Sequence, residues 1–341
     1  MITKLWNRIV AATKAKKYVW HLMDRGSALV SDGSYVRIFI SEMWLETSWA
    51  WFHGWYPAVE ASVQLKYGDQ PATVITRVAK PPENATQNAV LRNYEILPLT
   101  PFNGGTLELQ AALLAMQGEN YLGSAIEILE DFSSLVAAPL GQALTIAEKV
   151  SNGLETIISA TNGDARLPYH DTFVGAGMGA NELKPGYLAL IRVEPDKFDM
   201  SRLSVKDGAL LYDAQPFRRF DYLLLRIDGA TERDDYRQLS SIKTAYDELI
   251  KTMEELNEDD EKAVARAESK VRSAVFRCGD LAAKDRARVW DAMKKEIAYA
   301  KQEFGLGAAR VSTRSLDDIV ATWAVSMSQV PALADQGRDL D

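Results

Sequence analysis

The sequence predicts an α+β protein. A mostly antiparallel, β-sandwich-like body with an inserted helical pair is followed by a C-terminal antiparallel helical bundle. Short strand-like segments separated by polar or proline-containing loops fill residues 34–116 and 168–228. Apolar residues recur with the helical period in residues 121–162 and 230–304. It remains open whether the two β regions form one sandwich or two.

Charge density changes along the chain in step with these patterns. Residues 1–164 carry 28 charged residues, whereas residues 165–341 carry 58, and the density is highest after residue 228. Together the patterns predict four segments: an N-terminal basic amphipathic helix (1–23), a β-rich body with helices at about 121–162 (24–228), a helical bundle (229–305), and a short helix with a polar tail (306–341).

The N-terminal helix is predicted over residues 2–17. It has a short apolar stripe and five positive charges, with no acidic residue before Asp24. The favoured interpretation is a terminal helix that docks on the body and leaves its lysines in water. The alternative is an anchor on a membrane surface. The stripe consists of Leu5, Trp6, Ile9 and Val10.

The first β region shows the period of two that half-buried strands require. Apolar residues alternate from Val59 to Tyr67, and a Gly-Asp pair at 68–69 predicts a turn. The loop 80–88 contains two prolines and cannot lie in a central strand. Residues 106–117 are ambiguous between a last strand and the start of a helix.

The second β region resembles a meander of short strands. Lys206-Asp207-Gly208 predicts a tight hairpin turn. The runs 188–191 and 222–227 are almost continuously apolar, which predicts strands covered on both faces. Beyond residue 230 the pattern predicts three helices in antiparallel succession, with the acidic run 254–261 as a solvated turn between two of them.

An aromatic stretch supplies the candidate interface residues. In an extended strand Trp49, Trp51, His53 and Trp55 share one face, with Trp44 just upstream, and Pro57 is expected to end the strand. Because a large exposed apolar ladder is rare on a soluble monomer, we expect most of this area to be buried. The cover is either the protein's own helices or a partner.

Four other motifs have favoured structural interpretations. Gly175, Gly177 and Gly179 lack the dinucleotide spacing and predict a tight loop. The pair His170-Asp171 predicts a structural or surface histidine, because neighbours on a strand point to opposite faces. The Ser240-x-x-Lys243 pattern lacks its companion motifs, and Cys278 has no histidine nearby in sequence, so neither predicts a nucleophile.

Acidic residues in the second β region allow a calcium site as an alternative to plain solvation, which is favoured. They are Glu194, Asp196, Asp199, Asp207 and Asp213.

Composition narrows the function classes. With one cysteine and three histidines, no zinc site and no intramolecular disulfide are expected, and the cysteine usage predicts a cytoplasmic protein. The net charge of −8 argues against general nucleic-acid binding. No catalytic residue and no cofactor are predicted. The hypothesis is a non-enzymatic protein-binding or assembly protein, with a protein partner or self-association. The alternatives are a membrane-associating effector and a metal-dependent hydrolase.

Overall fold

A computed structural model of the protein describes residues 19–24, 26–46, 55–67, 73–79, 92–117, 164–194, 198–255 and 261–304. The described chain is α+β, with antiparallel strand pairing between all named strands, as predicted. The helices predicted at 2–17 and 121–162, and the segment 306–341, lie outside the described residues and stay predictions.

The described residues form twelve strands in three sheets. The strands are β1 Val19–Asp24, β2 Ser34–Trp44, β3 Trp55–Lys66, β4 Thr73–Ala79, β5 Arg92–Phe102, β6 Thr106–Gln117, β7 Asp164–Val174, β8 Gly186–Ile191, β9 Leu203–Lys206, β10 Ala209–Tyr212, β11 Gln215–Pro216 and β12 Tyr222–Ala230. A five-stranded sheet has the order β1-β8-β12-β2-β5, a four-stranded sheet the order β4-β3-β6-β7, and a small sheet the order β11-β10-β9.

One hydrophobic cluster draws its side chains from both larger sheets. The five-stranded sheet contributes residues such as Ile38, Leu190 and Leu225, and the four-stranded sheet contributes residues such as Leu109 and Phe173. Burial of these apolar surfaces is the main force that holds the β body together. The two larger sheets therefore share one hydrophobic core, and the face of each sheet that contributes to it is its inner face.

A second cluster lies on the outer face of the five-stranded sheet. Tyr187, Ile191 and Leu224 of that sheet pack there against Leu210 of the small sheet and Phe217 beside it. Every residue of β8 is buried, and so are Tyr222–Leu225 of β12. The prediction that these apolar strands are covered on both faces is confirmed.

A β-bulge in β2 decides which side chains reach each face. Leu224 lies opposite Glu42 while Leu225 lies opposite Ile40, so Ser41 is an extra residue. Ile40 and Met43 consequently both belong to the inner core. Strict alternation would have placed Glu42 in that core. The bulge moves it to the outer face instead.

Three details differ from the sequence-based expectations. Pro57 lies inside β3 rather than at its end. It lies opposite Ala115 of β6, and the described pairing of β3 with β4 is confined to Val59–Leu65. Residues 19–23, which we assigned to the N-terminal helical segment, belong to β1 and pair with β8. The ambiguous segment 106–117 is a strand.

The chain divides into two compact units. The first comprises Met1–Asp234 and Gly279–Asp285, and the second comprises Asp235–Cys278 and Arg286–Asp341. The short segment 279–285 therefore groups with the β body, although it lies far beyond the predicted boundary at residue 229.

The second unit contains the three helices predicted from periodicity, α1 Ser240–Glu255, α2 Glu261–Arg277 and α3 Arg286–Glu303. The helical pattern begins later than predicted, because residues 236–238 form a separate 3₁₀ turn. α1 packs against α2, and α2 against α3. Each helix buries residues that lie three, four or seven positions apart in sequence. Leu249 of α1, Val271 of α2 and Met293 of α3 are examples of these buried residues. None of the helices in the described part of the chain is long and apolar enough to cross a lipid bilayer.

Candidate functional site

Glu42 is a fully buried carboxylate on the outer face of the five-stranded sheet. Four donors surround it. One oxygen accepts the Arg218 guanidinium at 2.8 Å and the Arg92 guanidinium at 3.2 Å. The other accepts the Tyr222 hydroxyl at 2.6 Å and the backbone N–H of Leu210 at 2.9 Å. This set satisfies both oxygens, which is what a buried charge requires.

The electrostatics of this cluster favour the neutral form of its tyrosine, Tyr222. The side chains of Arg92 and Arg218 are 55% and 27% exposed, so both guanidinium groups keep contact with water. Burial, reinforced by the negative charge of Glu42, raises the pKa of the Tyr222 hydroxyl. Tyr222 therefore remains a hydrogen-bond donor throughout the neutral range.

The Glu42 cluster holds the small sheet against the outer face. Leu210 lies on β10, and the Ser41 hydroxyl donates to the carbonyl of Gly208 in the turn before it, at 2.7 Å. Aromatic rings fill the space beside these bonds. The Phe198 ring centroid lies 5.7 Å from that of Phe217, which lies 5.5 Å from that of Tyr222. The geometry assigns Glu42 a structural role, with its oxygens engaged by fixed donors.

Of the predicted aromatic interface residues, the structure locates one side chain. Trp44 ends β2 and packs against the outer-face cluster, with the Arg218 guanidinium 4.9 Å from its ring centroid. Trp49, Trp51 and His53 lie outside the described residues. Trp55 begins β3, but its side chain is also outside them. Their predicted shared face thus stays a prediction.

The other motifs fall where their structural interpretations placed them. The three glycines at 175–179 form a loop after β7, and His170 is exposed on β7. The Asp171 carboxylate accepts the Asn181 amide at 3.0 Å and the Thr172 N–H at 2.8 Å, which ties that loop to the strand. Lys243 pairs with Asp247 one helical turn further along α1.

Cys278 and two of the loop acids, Asp199 and Asp213, also have structural partners, and Asp196 lies outside the described residues. The buried Cys278 sulfur accepts the Ser241 hydroxyl at 3.7 Å. Asp199 accepts the Ser201 N–H and hydroxyl at the start of a 3₁₀ turn, and Asp213 pairs with Arg202. Within the described ranges, no group of three or more His, Cys, Asp or Glu side chains is arranged to hold a metal ion.

A second arrangement lies at one end of the β body, where several loops meet. We call residues 26–33, 66–67, 103–105 and 175–185 the loop end. Three of the five large apolar side chains that are exposed in the described chain belong to it. They are Val30 at 45%, Tyr67 at 49% and Met178 at 62% exposure. Most other apolar side chains of the β body are buried, so this concentration is unusual.

Hydrogen bonds between the loops hold the loop end together. Leu29 donates its N–H to the Leu183 carbonyl at 2.8 Å and accepts the Ala176 N–H at 3.0 Å. The Val30 N–H donates to the Ser34 hydroxyl at 2.9 Å. These bonds fix the backbone next to Val30 and tie the 26–33 loop to the 175–185 loop.

Two glycines allow the close approach of these loops. Gly104 has a φ of +91°, and a Cβ at this position would lie 3.6 Å from the Tyr67 ring and would collide with the Ser31 hydroxyl. A Cβ on Gly175 would lie 3.0 Å from the Phe102 ring. The glycines therefore bring Tyr67 beside the 26–33 loop and bring the 175–185 loop against the body.

Sequence reasoning missed both arrangements. The available signal for the Glu42 cluster was a lone acid inside the apolar strand pattern YVRIFISEMWL, but its partners lie 50 to 180 residues away. The signal for the loop end was an apolar residue within each of several glycine-containing loops, which is too common to single out. Comparison with protein-family models, with curated proteins and with solved structures finds no match for this chain.

Proposed function

We propose that this protein is a non-enzymatic binding or assembly protein that engages a protein partner through the loop end. The observation that carries the proposal is the concentration of Val30, Tyr67 and Met178, all exposed, on neighbouring loops of one unit. Aromatic residues and methionine are enriched at protein interfaces, and their burial by a partner would remove apolar surface from water.

The fixed backbone of the loop end supports the same proposal. A binding surface that must become ordered on contact loses affinity to conformational entropy. Here the Leu29–Leu183, Leu29–Ala176 and Val30–Ser34 hydrogen bonds already hold the loops. The backbone around Val30 and Met178 is thus already held before a partner binds.

Charge indicates the chemistry of the partner. Asp32 and Glu182 are offset by Lys66 and Lys184, so the loop end is formally neutral on a chain with a net charge of −8. The Glu182 carboxylate is also engaged by the Gly177 N–H at 2.7 Å. We therefore propose a partner that presents an apolar, uncharged face, rather than a basic protein attracted by the overall charge.

The finer architecture and the compartment are part of the proposal. The shared core of the two larger sheets supports a β-sandwich, and the sequential packing of α1, α2 and α3 supports an antiparallel helical bundle. A single cysteine in 341 residues is typical of a reducing compartment and supports placing the protein in the cytoplasm.

Photo-crosslinking in cells tests the binding surface. A benzophenone amino acid is placed at Tyr67 or at Met178 of the full chain, and the matched control carries it at Tyr299, which is 43% exposed on α3. We expect a discrete adduct from positions 67 and 178 that is weak or missing from 299. Adducts of equal yield from all three positions, or none above background, would overturn the proposal.

The adduct mass identifies the partner class, and light scattering then measures binding by the purified components. An adduct of twice the chain mass identifies a second copy as the partner. Replacing Val30, Tyr67 and Met178 together with serine should weaken binding at least about tenfold, since truncation of interface anchors is costly. The melting temperature should change little, because all three side chains are exposed.

A further inference from the structure

We propose that Met178 is a peroxide-reactive site, and that its oxidation to the sulfoxide makes the loop end polar and weakens partner binding. The oxidation site rests on the geometry of Met178 alone. Its regulatory consequence rests on the proposed function.

Met178 stands apart from the other methionines whose side chains the structure describes. It is 62% exposed, whereas Met43, Met253 and Met293 are at most 4% exposed. Met200 is partly buried and packs against the outer-face cluster. Oxidation of a thioether follows its access to the oxidant. From exposure alone, Met178 is therefore the methionine of this set that we expect to oxidise fastest.

The sequence neighbours of Met178 leave its side chain exposed. Gly177 and Gly179 flank it and have no side chains, and a Cβ on Gly177 would have no heavy atom within 4 Å. The backbone is nevertheless held in place, because the Met178 N–H donates to the Gly175 carbonyl at 3.1 Å. The side chain thus projects from a fixed turn, between two residues that have no side chains of their own.

The reaction needs only hydrogen peroxide or an organic hydroperoxide as oxidant. The sulfur lone pair attacks the distal peroxide oxygen, a S–O bond forms and the O–O bond breaks. The sulfur is oxidised by two electrons, and the proton of the attacked oxygen passes to the departing oxygen, which leaves as water or as an alcohol. The product is a polar S=O group, which methionine sulfoxide reductases convert back to the thioether.

The sulfoxide would place a strong hydrogen-bond acceptor within the apolar set formed with Val30 and Tyr67. A partner face without donors cannot satisfy that acceptor, and burying an unsatisfied polar group is unfavourable. Oxidation would therefore weaken binding without unfolding the protein, since Met178 does not belong to the hydrophobic core.

Peptide mapping of the full-length protein after graded hydrogen peroxide tests the assignment. The sulfoxide at Met178 should accumulate at least about tenfold faster than at Met43, Met253 or Met293. Hydrophobic-interaction chromatography of the native protein should show earlier elution on the same time course. Met178→Leu should abolish that shift, whereas the buried control Met253→Leu should retain it. Equal oxidation rates, or a shift that persists in Met178→Leu, would overturn the assignment.

Crosslinking from position 67 tests the consequence separately. Peroxide should lower the adduct yield of the otherwise wild-type chain, and reductase treatment should restore it. The yield of Met178→Leu, whatever its starting level, should be the same with peroxide as in its own untreated sample. An unchanged yield with Met178 fully oxidised would overturn the regulatory step. If no adduct forms before oxidation, the proposed partner binding fails and the regulatory step with it. The oxidation site still stands or falls on the mass and elution measurements.

Discussion

Glu42 is a buried carboxylate of β2. It comes after the apolar run Ile38–Ile40 and Ser41, and it reaches the outer face because Ser41 is an inserted residue. Its carboxylate then combines donors from β5, β10 and β12 and from the segment before β12. A single buried charge in this way ties together parts of the chain that share no sequence pattern.

Replacing Glu42 with glutamine keeps the side-chain shape and removes the charge. We expect the free energy of unfolding in urea to fall by about 2–4 kcal/mol. Removing one partner of a buried ion pair typically costs about 3–5 kcal/mol, and partial solvation of both guanidinium groups lowers that value here. Hydrogen exchange at the Leu210 N–H should accelerate.

The control Glu95→Gln, at an exposed position of β5, should change stability by about 0.5 kcal/mol or less. Equal effects of the two substitutions would contradict the anchoring role.

The ionisation of Tyr246 is expected to lower the stability of the protein at alkaline pH. Burial, with a contribution from the negative charge of Glu296, raises its pKa from 10.0 to about 12. Its stabilising contribution is fully present below pH 10. It is lost as the pH rises towards 12, because the unfolded chain releases the proton first. Burial also raises the pKa of Tyr35, Tyr222 and Tyr236.

The variant Tyr246→Phe cannot release this proton. We therefore expect its stability to fall less steeply than that of the wild type between pH 10 and pH 12, in urea titrations at several pH values. The difference between the two proteins at pH 7 serves as the reference. Parallel stability curves across the alkaline range would show that Tyr246 is not among the responsible groups.

At the scale of elements, the β9–β10 hairpin is the clearest success of sequence reasoning. Asp207 and Gly208 have φ values of +51° and +74°, the signs that a type I′ turn requires. The variant Gly208→Ala would hold a side chain in this strained region, with its Cβ 3.0 Å from the Ser41 hydroxyl. We expect a loss of about 1–2 kcal/mol in thermal or urea unfolding.

The control for this substitution is Gly279→Ala. A Cβ on Gly279 meets no heavy atom within 4 Å, and its φ lies outside the left-handed region. Its stability should change by about 0.5 kcal/mol or less. If both alanine variants lose the same amount, the cost reflects a general property of glycine rather than this turn.

The elements that could be predicted are those whose signal is local. Periodicity located β2, β5 and β12 and the three described helices, because each strand or helix face repeats at a fixed spacing. The bulge at Ser41 and the strand position of Pro57 could not be predicted. Both depend on which strand lies alongside and how far it extends. The Glu42 cluster and the loop end were missed for the same reason, since each is assembled by contacts distant in sequence.

At the scale of the whole molecule, the two compact units are not consecutive in sequence, because the chain returns from the second unit to the first before it completes the second. Segment 279–285 joins α2 to α3 in sequence but groups with the β body. The Tyr35 hydroxyl donates to the Asp285 carboxylate at 2.8 Å and accepts the Ala282 N–H at 3.0 Å. Asp285 also accepts the Arg233 N–H at 2.9 Å. Hydrogen bonds between residues 250 positions apart leave no trace in local composition.

Asp285→Ala tests whether this short segment is part of the β body. Asp285 is only 3% exposed, and its removal leaves the buried Tyr35 hydroxyl without its acceptor. We expect the free energy of unfolding to fall by about 2–4 kcal/mol, because an unsatisfied buried polar group adds to the lost hydrogen bonds. Hydrogen exchange should accelerate both in 279–285 and at the start of β2. The control Asp280→Ala, at an exposed position of the same segment, should change neither. If faster exchange stays confined to 279–285, the segment is only a linker, and the predicted boundary at residue 229 describes the molecule better.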